Sequence, residues 1–122
     1  MASEESTAFD RVRTEVIRVV SGIPEGSFTT YGSIGGHLKV NPRHVAYFLA
    51  RLNEEEAATL PWHRVVGAEG RISRGMAEDL RAEQQARLEA EGMKIDPKGF
   101  ICDPDRSFHA FGPKREIRRA GE

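Results

Sequence analysis

The stretch Lys39 to Glu56 reads KVNPRHVAYFLARLNEEE, and its opening residues carry the signals of a helix start. Asn41 offers a side-chain carbonyl to the free amides of a first turn, and Pro42 suits the first helical position, where no backbone donor is needed. Val45, Leu49 and Leu52 recur at i, i+4 and i+7, which makes the stripe of a buried face. On this register Arg43 and His44 project from the first turn, beside the positive end of the helix dipole.

Immediately upstream, GSFTTYGSIG (26–35) places Thr29 or Thr30 as a cap for a second short helix, from Tyr31 to about Leu38. Two short helices joined by a tight turn, the second opening on basic residues, form the pattern of a helix-turn-helix reader. A helical hairpin that only packs a core has the same pattern, so DNA binding does not follow from it alone. Further upstream Phe9, Val12, Val16, Val19 and Val20 recur at helical spacing, which predicts a helix from Thr7 to Val20, capped by Ser6 or Thr7 and ended by Gly22, Pro24 and Gly26.

Downstream, TLPWHRVVGAEGRIS (59–73) holds the chain's one tryptophan between a proline and a histidine. PWHRVV is short and β-branched and reads as extended chain leading to the turn GAEG, with RIS returning as a short strand. A charged helix follows from Glu78 to Glu91, with Leu80, Gln84 and Leu88 on one face and Gly92 at its end. MKID reads as a further strand. The remaining PKGFICDPDRSFHAFGPKREIRRAGE carries Phe100, Phe108 and Phe111, which predicts that part of it packs, while KREIRRAGE has too little apolar content to fold alone.

Composition bounds the function classes. A chain of 122 residues with 39% hydrophobic and 30% charged content fits one ordinary globular domain. No apolar run approaches the roughly 18 residues that span a bilayer, and the polar, acidic start MASEESTAFD lacks the pattern of a secretory signal. Cys102 is the single cysteine, and His37, His44, His63 and His109 show no metal-ligand spacing. These features predict a cytoplasmic monomer with no membrane partner, no metal and no cofactor. The net charge of −1 gives no whole-chain argument for nucleic acid, although Lys39, Arg43, His44, Arg51, Arg64, Arg71 and Arg74 cluster in the middle of the sequence.

GSFTTYGSIG, the capped NPRHV, LPWHRVV and the EGRIS behind it together resemble the DNA-binding, active-site domain of the O6-alkylguanine-DNA alkyltransferases. In that family the loop reads Pro-Cys-His-Arg-Val and its cysteine accepts the alkyl group irreversibly; here Trp62 stands in that place. The substitution is the mark of the alkyltransferase-like proteins, which resemble the repair enzymes but lack the acceptor thiol. The likeness runs from about Phe9 to Ile95, with four separated motifs in family order.

The resemblance implies a mainly α fold with a short β-hairpin, a winged helix-turn-helix-like DNA-binding domain over residues 1–96, and a partly packed C-terminal extension over residues 97–122. It implies that Tyr31 presses on the DNA backbone and that Arg43 is an arginine finger entering through the minor groove, with Thr30, Pro42 and His44 also on the DNA-binding surface. Tyr31, Trp62, Val65, Ser73, Arg74 and Gly75 would form the lesion pocket. Asn53, His63 and Glu91 would keep a residual hydrogen-bond network, with no catalytic residue. The implied partners are double-stranded DNA containing O6-alkylguanine and nucleotide excision repair proteins.

Physical chemistry agrees with these roles. Extruding a base costs a few kcal/mol, so a flipping protein needs one side chain to fill the vacated stack and a pocket to hold the base. A planar guanidinium can stack and hydrogen-bond at once, and a tryptophan face can add roughly 1–3 kcal/mol of base stacking. Alkyl transfer, by contrast, needs a soft thiolate nucleophile, and Cys102 lies outside every motif. The flanking histidine and arginine are expected to hold the loop's shape around Trp62. Two alternatives stand beside this reading: an active alkyltransferase or water-using dealkylase built on His63 and Glu91, and a helix-turn-helix regulator without lesion specificity.

Overall fold

The structure is a computed structural model that describes residues 8–111. The expected caps Ser6 and Thr7 and the basic stretch KREIRRAGE lie outside the described residues.

Helix α1 (Ala8–Ser21) turns Val16, Val19 and Val20 inward, as the spacing predicts, but Val12 of the same stripe is only half-buried and Phe9, in the first turn, is exposed. Strand β1 (Thr29–Thr30) leads into α2 (Tyr31–Leu38), whose cap is Thr30: its hydroxyl accepts the Ser33 amide at 2.9 Å. Asn41 caps α3 (Pro42–Leu49) by accepting the Arg43 amide at 2.8 Å. The buried residues of α3 are Val45 and Phe48, whereas Leu49 and Leu52 are only half-buried. The stripe therefore follows i, i+3 more closely than the expected i, i+4, i+7.

The turn between α2 and α3 is tight. The Val40 amide donates to the Gly35 carbonyl at 2.8 Å, which draws the two backbones together so closely that a Cβ on Gly35 would sit 2.6 Å from the Val40 carbonyl oxygen. Lys39 closes α2 in the left-handed region, at φ 62°.

A short helix absent from the sequence expectation follows, α4 (Glu54–Thr59). Its six residues bury nothing, so no apolar period marks it; it is held by a capping box in which Asn53 and Glu56 exchange side-chain to backbone bonds at 2.8 and 3.0 Å. Trp62–Arg64 form one 3-10 turn rather than extended chain. Strand β2 (Val65–Val66) then pairs with β1, Thr29 opposite Val65, and the pairing is parallel.

That pairing changes the expected β-hairpin. The chain does reverse at GAEG, with Glu69 at φ 64° and Gly70 at φ 77°, but the reversal is closed by a single antiparallel bridge between Gly67 and Arg71. Because Val65 and Val66 pair with β1, RIS bonds elsewhere: Arg71 bridges Phe100, the Ile72 amide donates to Gly99 and the Ile101 amide donates to Gly70. MKID is likewise reduced to one bridge, Ile95 opposite Ile101.

Helix α5 (Glu78–Ala90) buries Gln84 and Leu88 but leaves Leu80 exposed at 42%, so the apolar face is a turn shorter than expected. Gly92, at φ 97°, ends it: the Gly92 and Met93 amides donate to Glu89 and Leu88, the bond pattern of a Schellman stop. A last single turn, α6 (Pro104–Ser107), is the final helix among the described residues.

Two apolar clusters result. The first packs α1, α2 and α3 around Val16, Val20, Ile23, Ile34, Val45 and Phe48, with Val65 from β2. The second joins Phe28 and Val66 to Leu88, Met93 and Ile101, with Phe108 against it. The segment beyond Asp96 is thus tied into the core, and its backbone brackets Phe28: the Phe28 amide donates to Ser107 at 3.0 Å and the His109 amide donates to Phe28 at 2.7 Å. Phe111 packs on the first cluster.

Candidate functional site

The first turns of α2 and α3 face the 67–74 loop across an open groove of about 660 Å³. The site follows from three local features already described: Thr30 stops β1 and starts α2, so Tyr31 stands at a helix mouth; the Gly35 turn brings the start of α3 beside it; and the Gly67–Arg71 bridge folds the loop back against both. Of the residues expected from sequence, Thr30, Tyr31, Pro42, Arg43, Ser73 and Arg74 line this groove together. Tyr31 is half-buried, and that burial raises its hydroxyl above the ordinary tyrosine range, so it remains a neutral donor at physiological pH.

Other expected residues stand apart from the groove. Val65 is 1% exposed and belongs to the first apolar cluster. Trp62 is half-buried: its indole N–H donates to the Ala57 carbonyl at 3.2 Å and the Arg87 guanidinium lies 5.5 Å from its ring centre. Gly75 and His44 are exposed and do not line the groove. Asn53 does not join His63 and Glu91, because its side chain caps α4 instead.

His63 and Glu91 do meet, with His63 Nε2 2.8 Å from Glu91 Oε2. They belong to a larger node. Arg64 grips the same carboxylate through Nε and Nη2 at 2.7–3.1 Å and donates from Nη1 to the Ile23 carbonyl, and the Gly26 amide donates to Glu91 Oε1 at 2.9 Å. Buried Gln84 supports the loop from α5, its amide donating to the His63 and Val65 carbonyls at 3.1 and 2.9 Å. The arginine beside Trp62 does hold the loop, as expected, but its partner and the part played by Gln84 were not marked in the sequence. The available signal was a polar Gln84 in line with Leu88 on a face that should be apolar.

The electrostatics of the node follow from these bonds. Burial of Glu91 opposes its charge, yet the hydrogen bonds from Arg64, His63 and Gly26 outweigh burial and hold the carboxyl at about 2. For His63 burial is the larger influence and lowers its pKa despite Glu91. The pair is therefore a neutral imidazole donating from Nε2 to a carboxylate, which leaves Nδ1 a bare lone pair; it is buried without a hydrogen-bond partner. Cys102 is exposed and does not line the groove. Among the described residues no group of three or more histidine, cysteine, aspartate or glutamate side chains could hold a metal, and no helix is long and apolar enough to cross a membrane.

Comparison with known proteins places this architecture. Residues 11–93 match the family of the 6-O-methylguanine DNA methyltransferase, DNA binding domain. A DNA base-flipping protein of Escherichia coli (strain K12) is 42% identical over 95 residues, which cover 75% of this chain and 70% of that protein. Alkyltransferase-like protein 1 of Schizosaccharomyces pombe is 34% identical over 88 residues, 70% of this chain and 80% of that one. Among solved structures, S. pombe Atl1 in complex with damaged DNA containing O6-carboxymethylguanine superposes with a TM-score of 0.65 at 34% identity, over 71% of this chain and 81% of that chain. S. pombe ATL in complex with DNA gives 0.69 at 30% identity, over 85% and 97%. With its helix-turn-helix, its PWHRV loop and this match over most of its length, the chain belongs to the 6-O-methylguanine DNA methyltransferase DNA-binding-domain family, as an alkyltransferase-like protein.

Proposed function

We propose that this chain is a non-enzymatic sensor of DNA damage that binds O6-alkylguanine in duplex DNA through the minor groove, turns the base out and marks the site for nucleotide excision repair. The observation that carries the reading is the sharing of one open groove by Tyr31 and Arg43. Arg43 is exposed at the first turn of α3, so its guanidinium is free to fill the stack that a flipped base vacates. Tyr31 supplies a neutral, rigid edge beside it. Ser73 and Arg74 offer hydrogen-bond donors on the opposite wall, as recognition of an extruded base requires. The names of its relatives, which speak of base flipping and damaged DNA, support the same direction.

Alkyl transfer is not part of the proposal. It needs a thiolate beside the base, and the groove is lined by no cysteine. The neutral His63 has no acceptor thiol to activate, and its bonds instead keep the loop in shape.

The test compares duplexes with and without O6-methylguanine. Wild type is expected to prefer the lesion, and Arg43→Ala to weaken lesion binding by well over about 1 kcal/mol, roughly tenfold or more in Kd. Wild-type affinity in Arg43→Ala removes the arginine finger. Equal affinity for both duplexes supports a regulator without lesion specificity, and transfer of a labelled methyl group to the protein, or its loss from the DNA, supports an enzyme.

A further inference from the structure

The groove has an end wall that the family match does not reach. Phe100 lies beyond the matched residues 11–93, yet it lines the same groove as Arg43. It is welded there by backbone bonds: Arg71 bridges Phe100, the Ile72 amide donates to Gly99 at 2.9 Å and the Ile101 amide donates to Gly70 at 2.8 Å. Over its ring lies the Arg71 guanidinium, 4.9 Å from the ring centre, and Arg71 Nε donates to the Lys98 carbonyl at 3.2 Å.

This arrangement fixes a cation in place. The aromatic face orients the guanidinium plane, and the Lys98 carbonyl consumes Nε. The terminal nitrogens Nη1 and Nη2 donate to no protein acceptor among the described residues, on a side chain that is only half-buried and lines the groove. With the Phe100 face covered by Arg71, the group offered to a ligand is a two-pronged donor rather than a stacking platform. Such a fork matches the paired oxygens of a phosphate.

We infer that the Arg71–Phe100 pair is a phosphate clamp, which holds a backbone phosphate of the bound duplex at the end of the groove. The inference rests on the reading that the groove takes duplex DNA. Phe100 acts as a positioning residue: it keeps the guanidinium ordered before DNA arrives, so that little side-chain freedom is lost on binding. A phosphate contact is blind to the state of the base, and this separates Arg71 from Arg43 in what each contributes.

The experiment measures binding of the full chain to an undamaged duplex and to the same duplex carrying O6-methylguanine, across a series of NaCl concentrations. Arg71→Gln is expected to weaken both complexes by the same factor, leaving the lesion preference intact, and to reduce the slope of log affinity against log salt by about 0.9, the value for a single phosphate that is no longer neutralised. Arg71→Lys, which keeps the charge without the fork, is expected to restore the slope while recovering only part of the affinity. Phe100→Leu is expected to lower affinity and leave the slope unchanged, because the charge remains. The melting temperature of each variant identifies any that is unfolded; if Arg71→Gln is, Arg71→Lys is compared with wild type, where an equal loss of affinity on both duplexes at an unchanged slope is expected and wild-type affinity overturns the clamp. An unchanged slope in folded Arg71→Gln overturns the clamp, as does a loss confined to the damaged duplex. Absence of lesion preference in wild type refutes the sensor reading alone, since the slopes on undamaged duplex still report on Arg71.

Discussion

One carboxylate, that of Glu91, accepts hydrogen bonds from Arg64, His63 and the Gly26 amide, and its low pKa has a consequence for stability. A carboxyl held at about 2 when folded, against its ordinary 4.5, contributes stability that is complete above about 4.5 and is lost as the pH falls towards 2. His63, lowered by burial, adds a loss of the same sign at higher pH: the unfolded chain takes up a proton near 6.5, which the folded chain resists. Thermal melts followed by circular dichroism should therefore be flat from about pH 7 to pH 10, above which ionisation of half-buried Tyr31 opposes folding, and fall as the solution is acidified below about 6.5, with the steeper fall below 4.5. Glu91→Gln should cost about 3 kcal/mol at pH 7, because it leaves the 16%-exposed Arg64 charge without its partner, and should flatten the steep limb. A Glu91→Gln melting profile parallel to wild type at every pH would show that the node does not govern acid stability. At this scale the sequence marked His63 and Glu91 through the family resemblance. It did not mark that Arg64 grips the same carboxylate, because the two lie 27 positions apart and only the fold joins them.

Among the elements, the α2–α3 turn does most to build the groove, and Gly35 is its tightest point. An alanine Cβ there meets a carbonyl oxygen at 2.6 Å, and the backbone of Pro42 at 3.2 Å, neither of which can swing aside as a long side chain could. Gly35→Ala is therefore expected to destabilise the chain by about 1–3 kcal/mol and to weaken DNA binding further by shifting Arg43 relative to Tyr31. Urea unfolding measures the first effect, and binding at a temperature where the variant is fully folded measures the second; wild-type stability would show that the turn relaxes freely. Elements with local signals were legible here. Asn41 with Pro42, and Gly92 after α5, are caps whose chemistry is written in adjacent residues. By contrast α4 carries its capping box but no apolar face, and the parallel pairing of Thr29–Thr30 with Val65–Val66 joins segments whose sequences say nothing about each other. The hairpin expected from PWHRVV and RIS is reduced to the Gly67–Arg71 bridge because Val65 and Val66 pair with β1 instead; pairing is decided by what else is within reach of each backbone edge.

For the whole molecule, the second apolar cluster joins β2, α5 and Phe28 to the C-terminal segment. Ile101 is fully buried there with Phe28, Val66 and Leu88. Ile101→Ala should cost about 2–5 kcal/mol, as core truncations do, and should also weaken DNA binding through Phe100, its neighbour on the groove wall. A variant that loses stability in denaturant but binds both duplexes as wild type does would show that the wall is held without this cluster. Sequence reading placed aromatics in this segment and expected packing, but the partner of Phe108 was beyond it.

The bracketing of Phe28 bears on how the protein is made. Phe28 precedes in the chain the residues Ser107, Phe108 and His109, which satisfy its backbone and cover its ring, so it is synthesised before them. Until those partners follow, Phe28 lacks its folded-state cover, and the Thr29–Thr30 edge lacks its strand partner until Val65–Val66 follow. Exposed aromatic surface and open strand edges are what aggregation and chaperones act upon, and the docking of Ser107, Phe108 and His109 removes the first from Phe28.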